Sequence, residues 1–136
     1  MNSTPPITIL VIDDDLETRN VVELCLKDSV MKPTVFTAHN ALTGLQLAKA
    51  HIPDVIILDL NMPLGSGFDF VKDLKHDSKL SRVKILILSG YYTKQNIWQS
   101  IDQDVDDFLE KPFDIAELGA RVEALLEKKQ AGSSTI

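Results

Sequence analysis

Cysteine is nearly absent: the 136-residue chain has one, Cys25, which excludes a disulfide framework and any zinc site built on thiolates. Basic residues are in the minority, 14 Lys and Arg against 20 Asp and Glu, for a formal charge of -6. A surface of that sign does not gather phosphates, so direct nucleic-acid binding by this chain is not expected. No apolar run approaches the roughly 18 residues that cross a bilayer. The longest, such as Val55–Leu58 and Ile85–Leu88, are far shorter, so no membrane contact is expected either. The opening MNSTPPITIL lacks the basic segment that begins a secretory signal. Internal repeats and linkers are missing as well. What remains is ordinary globular composition, 44% apolar and 25% charged, at a length typical of one domain. The expectation is a single soluble cytoplasmic domain over residues 1–136, with a core over about 7–129 and flexible ends at 1–6 and 130–136.

Short runs rich in Val, Ile and Leu recur along the chain: Ile7–Ile12, the weaker Thr34–Thr37, Val55–Leu58, Val83–Leu88 and the short Asp107–Leu109. Three of them are nearly continuous instead of alternating, the pattern of strands covered on both faces. Helical patterns fill the gaps. Asp15 can cap a helix running to about Asp28, with Val21, Val22, Leu24 and Cys25 facing inward. Asn40 can cap a second helix, with Ala41, Leu45 and Ala48 at helical spacing, and a third spans about 66–76 through Phe70, Val71 and Leu74. A fourth covers roughly 94–103, carried by Ile97, Trp98 and Ile101. The fifth starts on a capping-box-like Asp114 and Glu117. It continues through a stripe of Ile115, Leu118, Val122 and Leu125, and ends at Lys128–Lys129. Strand and helix therefore alternate five times, which predicts an α/β fold with a doubly wound parallel sheet. Such sheets bind ligands outside the carboxyl ends of their strands.

The residues at those ends form a specific inventory. The first strand ends in Asp13-Asp14-Asp15, the third in Asp59, the fourth in Ser89, and the fifth is followed by Lys111-Pro112. Capping explains Asp15, but not Asp13 and Asp14 side by side at a buried strand end, where like charges repel and a cation is the natural remedy. Two or three carboxylates suit one hard divalent ion such as Mg²⁺. A carboxylate is also a nucleophile toward phosphorus, and a hydroxyl and a lysine can hold the phosphoryl oxygens. Ser89 alone would pass for a turn residue and Lys111 alone for a surface lysine. Their weight comes from their position relative to the acids.

The stretches ILVIDDD (9–15), PDVIILDLNMP (53–63), ILILSG (85–90) and DDFLEKPF (106–113), in that order, resemble the receiver domain of two-component response regulators. The intervals fit too, Asp59 lying 45 residues after Asp14 and Lys111 lying 52 after Asp59. The resemblance covers Thr8 to about Lys128 and implies a CheY-like, flavodoxin-like (βα)5 fold with strand order 2-1-3-4-5. It implies that Asp59 is the phospho-acceptor, that Asp13 and Asp14 hold Mg²⁺ together with Asp59, and that Asn61 adds its main-chain carbonyl. Asp14 would be the direct ligand and Asp13 would act partly through water. Ser89 and Phe108 match the switch positions, Lys111 the lysine before a cis proline, and Asn61 and Tyr91 positions that set phosphoryl lifetime.

Partners implied are a histidine kinase or histidine phosphotransfer protein and a downstream target or output domain. A homodimer through the face of the fourth helix, fifth strand and fifth helix is also implied. In this scheme Ser89 moves to the new phosphoryl oxygen and Phe108 turns into the vacated space. The chain departs from the family pattern in Gly90 where alanine is commoner, the bulky Tyr91, Ser66-Gly67 after the proline turn, Asp104-Val105 before the fifth strand, and Phe108 without a hydroxyl. None of these removes a site group. Two other readings fit the residues less well. An aspartate-nucleophile phosphatase of the haloacid dehalogenase type needs a second Asp where this chain has Asn61, and a phosphorylation-independent interaction module has no need of the intact acidic set.

Overall fold

Continuous apolar runs become strands buried on both faces. The computed structural model describes residues 6–60, 67–90 and 104–134, with side chains over 6–60, 69–90 and 104–127. The elements are β1 (Thr8–Ile12), α1 (Leu16–Lys27), β2 (Thr34–Ala38), α2 (Ala41–His51), β3 (Val55–Asp59), α3 (Gly67–His76), β4 (Lys84–Ser89), β5 (Asp107–Glu110) and α4 (Ile115–Ser134). One parallel sheet of order β2-β1-β3-β4-β5 results. The doubly wound (βα)5-type fold is therefore as expected, with the helix anticipated over 94–103 lying outside the described residues.

The two-residue period of a strand splits the sheet into two cores. Leu10, Ile12, Ile56, Leu58, Ile85 and Ile87 pack with Ala48 of α2 and Phe70, Val71 and Leu74 of α3. Ile9, Val11, Val55, Ile57, Leu86 and Leu88 pack on the other face with Val22 and Leu26 of α1 and Leu118, Val122, Leu125 and Leu126 of α4. Each such buried aliphatic side chain contributes about 1.5–3 kcal/mol. At Gly44 in α2, a β-carbon would lie 2.5 Å from Cδ1 of Ile12, so any side chain here would force the buried Ile12 to move.

Asp15 and Asn40 cap α1 and α2 as expected, accepting from the amides of Thr18 and Thr43. The inner face of α1 differs from the sequence reading. Val22 and Leu26 are buried, whereas Val21 and Leu24 are exposed, at 42% and 69%. An i, i+4 stripe with Cys25 beside it already fills the space over the sheet, which leaves Val21 and Leu24 on the flank. In α4, Ile115 is likewise exposed, because the buried stripe starts one turn later at Leu118. Glu117 pairs forward with Arg121 at 3.0 Å instead of closing a capping box. The helix also runs to Ser134, past the expected end at Lys128–Lys129. No helix among the described residues is long and apolar enough to cross a membrane.

Candidate functional site

Parallel strands deliver their carboxyl ends to one edge of the sheet, and the register brings the site residues level. β3 and β4 each run one residue further than the apolar runs suggest, so Asp59 and Ser89 belong to the ladder, paired with Leu88 and Glu110. Lys111 follows Glu110, and its amide donates to the Ser89 carbonyl at 3.0 Å. Its peptide bond to Pro112 is cis, as the resemblance implied.

Asp13 is fully buried and held on every side. Its amide donates to the Ala38 carbonyl at 3.1 Å. Its Oδ1 accepts from the Asp15 amide at 2.9 Å, and its Oδ2 accepts from Lys111 Nζ at 2.9 Å. The same ammonium reaches Asp59 Oδ2 at 3.3 Å. Burial pushes the Asp13 carboxyl above its ordinary value; the Asp15 amide and Lys111 pull the other way without cancelling it, and Asp59 adds to the rise. For Lys111, burial favours the neutral amine, but Asp13 and Asp59 outweigh it and hold the ammonium above its usual value. One cation thus bridges two buried carboxylates, while Asp14 is exposed beside them. Bonding from the side chain and amide of Thr18 lowers the Asp15 carboxyl, consistent with a cap and no further duty.

One carboxylate oxygen each from Asp13, Asp14 and Asp59 lie within 4.8 Å of one another. Ligands of one Mg²⁺, at metal–oxygen bonds of about 2.1 Å, are at most about 4.2 Å apart. The three carboxylates therefore present a hard-oxygen set of the kind that suits this ion. Two other expectations, Asn61 and Tyr91, lie outside the described residues.

Ser89 is fully buried at the end of β4. Phe108 is only 2% exposed and already belongs to the core with Ile85, Ile87 and Val105. An inward swing of Phe108 upon modification therefore has no outward starting point in this conformation. At Gly90 a β-carbon would lie 3.2 Å from Cβ of Lys111, so this departure from alanine leaves the lysine room.

Sequence reasoning missed several supporting contacts. Arg19 Nη1 donates to the main-chain carbonyl of Asp13 at 2.6 Å. Arg121 holds Asp107 at 2.7 Å and the Phe108 carbonyl at 3.1 Å on the outer edge of β5. Beside the site, a groove of about 750 Å³ is lined by Asp15, Thr18, Val21, Lys111, Phe113 and Ile115. Its signal in the sequence is the excess of apolar residues on α1 and at the start of α4, more than one helical stripe can bury.

Residues 9–123 match the response regulator receiver domain. The chain is 34% identical over 123 residues to the KDP operon transcriptional regulatory protein KdpE of Escherichia coli, covering 90% of this chain and 52% of that protein. It is 36% identical over 120 residues to the DNA-binding dual master transcriptional regulator RpaA of Synechocystis, covering 88% of this chain and 49% of that one. The chain thus spans about half the length of these relatives. Among solved structures, the chemotaxis response regulator CheY4 of Vibrio cholerae superposes with a TM-score of 0.81 at 30% identity, over 90% of this chain and 100% of that one. With the acidic edge, the buried serine and the bridging lysine at the sheet's carboxyl ends, the chain belongs to the response regulator receiver domains of two-component signalling.

Proposed function

We propose that the chain is a phosphorylatable switch with Asp59 as the acceptor. The observation that carries this reading is the Lys111 bridge between Asp13 and Asp59, both all but inaccessible, beside the exposed Asp14. An Asp59 oxygen attacks the phosphorus of a phosphohistidine on a kinase or phosphotransfer protein. The phosphorus–nitrogen bond breaks and its electron pair leaves with the imidazole. Asp13, Asp14, Asp59 and the Asn61 carbonyl would hold a Mg²⁺ ion, which would supply charge neutralisation at the reacting oxygens. Lys111 meets a phosphoryl oxygen, and Ser89 donates its hydroxyl to another. The donor approaches over the groove between α1 and the start of α4, where Val21 and Ile115 offer apolar contact next to Lys111. The test is incubation with acetyl phosphate. One phosphoryl group per chain should be gained with Mg²⁺ and none in chelator, and a chain left unmodified with Mg²⁺ present sinks the reading.

The acidic pair divides its labour. Both Asp13 oxygens already accept hydrogen bonds, whereas Asp14 is exposed and free to turn, so Asp14 is the direct ligand and Asp13 acts partly through water. Asp14→Ala is expected to weaken Mg²⁺ binding by about tenfold or more, since even outer partners of a metal typically cost 10–100-fold. Asp13→Ala should cost less. Calorimetry decides, and equal affinity in wild type and Asp14→Ala contradicts the assignment.

Output passes through Ser89, which ends β4 against β5. Because Phe108 is already inside, the response is a repacking of Ser89 and Phe108 instead of a swing from solvent. It biases a pre-existing equilibrium on the outer face of β5 and α4, where a target, an output domain or a second copy would read it. Beryllofluoride mimics the phosphoryl group on Asp59. It should shift amide resonances through residues 104–118 well beyond direct contact, while α2 changes little. Ser89→Ala should still accept the group but lose most of the distant shifts; if they persist undiminished in that variant, the relay is wrong.

A further inference from the structure

The arginine at the first turn of α1 sits where electrostatics disfavours it. Arg19 is the fourth residue of the helix, close to its amino end, where the aligned peptide dipoles already place positive potential. Among the described residues it forms no ion pair with a carboxylate. Instead its guanidinium reaches back and donates to the main-chain carbonyl of Asp13 at 2.6 Å. That carbonyl belongs to the turn between β1 and α1, the segment that must hold Asp13 and Asp14 together against their mutual repulsion. The Asp13 amide is tied to β2 and its carboxylate to Asp15 and Lys111, so Arg19 supplies the remaining main-chain restraint.

We infer that Arg19 is a positioning residue for the cation site: it fixes the Asp13–Asp14 turn through the Asp13 carbonyl, so that both carboxylates converge before a divalent ion arrives. The inference rests on the reading of this edge as a Mg²⁺-assisted phospho-acceptor site. Its physical content is pre-organisation. A ligand turn that is already ordered loses less freedom on binding, and the gain appears as metal affinity. The charge of Arg19 acts in the opposite direction, since a nearby cation repels Mg²⁺. The two roles therefore predict opposite signs for the same substitution.

The test is Mg²⁺ titration of Arg19→Ala and Arg19→Lys by calorimetry, alongside labelling by acetyl phosphate as a function of Mg²⁺ concentration. Arg19→Ala should weaken Mg²⁺ binding about tenfold, the lower end for lost outer-shell support. It should raise the Mg²⁺ concentration for half-maximal labelling by the same factor, while the labelling rate at saturating Mg²⁺ stays within about twofold of wild type. Arg19→Lys keeps the charge and a donor and should recover part of the affinity. A purely structural role would lower the melting temperature and leave the Mg²⁺ dependence where it was. Unchanged or tighter Mg²⁺ binding in Arg19→Ala overturns the inference and leaves the phospho-acceptor reading standing. A wild-type chain that binds no Mg²⁺ overturns both. If Arg19→Ala does not fold, Arg19→Lys decides: weaker Mg²⁺ binding with a matching rise in the Mg²⁺ concentration for half-maximal labelling supports the inference, and wild-type affinity with wild-type Mg²⁺ dependence overturns it.

Discussion

Asp59→Asn is expected to accept no phosphoryl group under conditions that label the wild-type chain fully. The acceptor must be a carboxylate because the new bond is an acyl phosphate, and the amide of asparagine is a poor nucleophile toward phosphorus. Position selects Asp59 from the three acids. It ends the central strand β3, is 3% exposed, and has Lys111 within 3.3 Å to meet a transferred oxygen. Asp13 has both oxygens committed to Asp15 and Lys111. Asp14 is exposed, where an acyl phosphate would be open to water. The product should be stable in acid and labile in base, and its mass gain should map to the peptide holding Asp59. Label persisting on Asp59→Asn would place the acceptor elsewhere. The substitution should not unfold the domain, since asparagine is nearly isosteric and the lysine retains Asp13.

Lys111→Met should produce the second large effect, on stability as well as chemistry. Lys111 is the cation that reaches both Asp13 and Asp59, whose side chains are 1% and 3% exposed. Without it, two buried carboxylates face each other uncompensated. Breaking a buried ion pair from one side costs about 3–5 kcal/mol, and because the lysine keeps some contact with water the expected loss is about 2–4 kcal/mol. Denaturation in chelator measures it. Added Mg²⁺ should then stabilise the variant more than the wild type, because a divalent cation replaces the missing positive charge at the same carboxylates. Labelling should fall by about 100-fold, the usual effect of removing one stabilising contact to a developing oxyanion. Wild-type stability in chelator, or equal Mg²⁺ increments in the two proteins, would contradict the bridging role.

Different residues became legible at different levels. The runs at 9–12, 55–58 and 85–88 announced a two-sided parallel sheet, because a strand covered on both faces has no polar positions to spare. The caps at Asp15 and Asn40 were equally readable, since an Asx side chain answers amides only two or three residues away. The site acids were legible because carboxylates at the ends of apolar runs have no structural reason to cluster. Which residues of α1 lie inside was not readable. Val21, Val22, Leu24, Cys25 and Leu26 are all apolar, and helical periodicity alone allows more than one stripe. Packing against the sheet and the neighbouring α4 chose Val22 and Leu26, leaving Leu24 exposed and Val21 to line the groove.

By itself, the sequence determined the order of elements, the side of the sheet where the candidate site lies, and which acids, hydroxyl and lysine are candidates for it. These follow from local periodicity and from the cost of burying charge, both properties of neighbouring residues. Only the tertiary structure decided that Lys111 bridges Asp13 and Asp59 from 98 and 52 residues away, that Arg19 turns back onto the Asp13 carbonyl, and that Phe108 is already inside. Those contacts join segments distant along the chain, or depend on which rotamer a packed neighbour permits. No local pattern encodes them, because the partner each side chain meets is fixed only when the sheet closes its register.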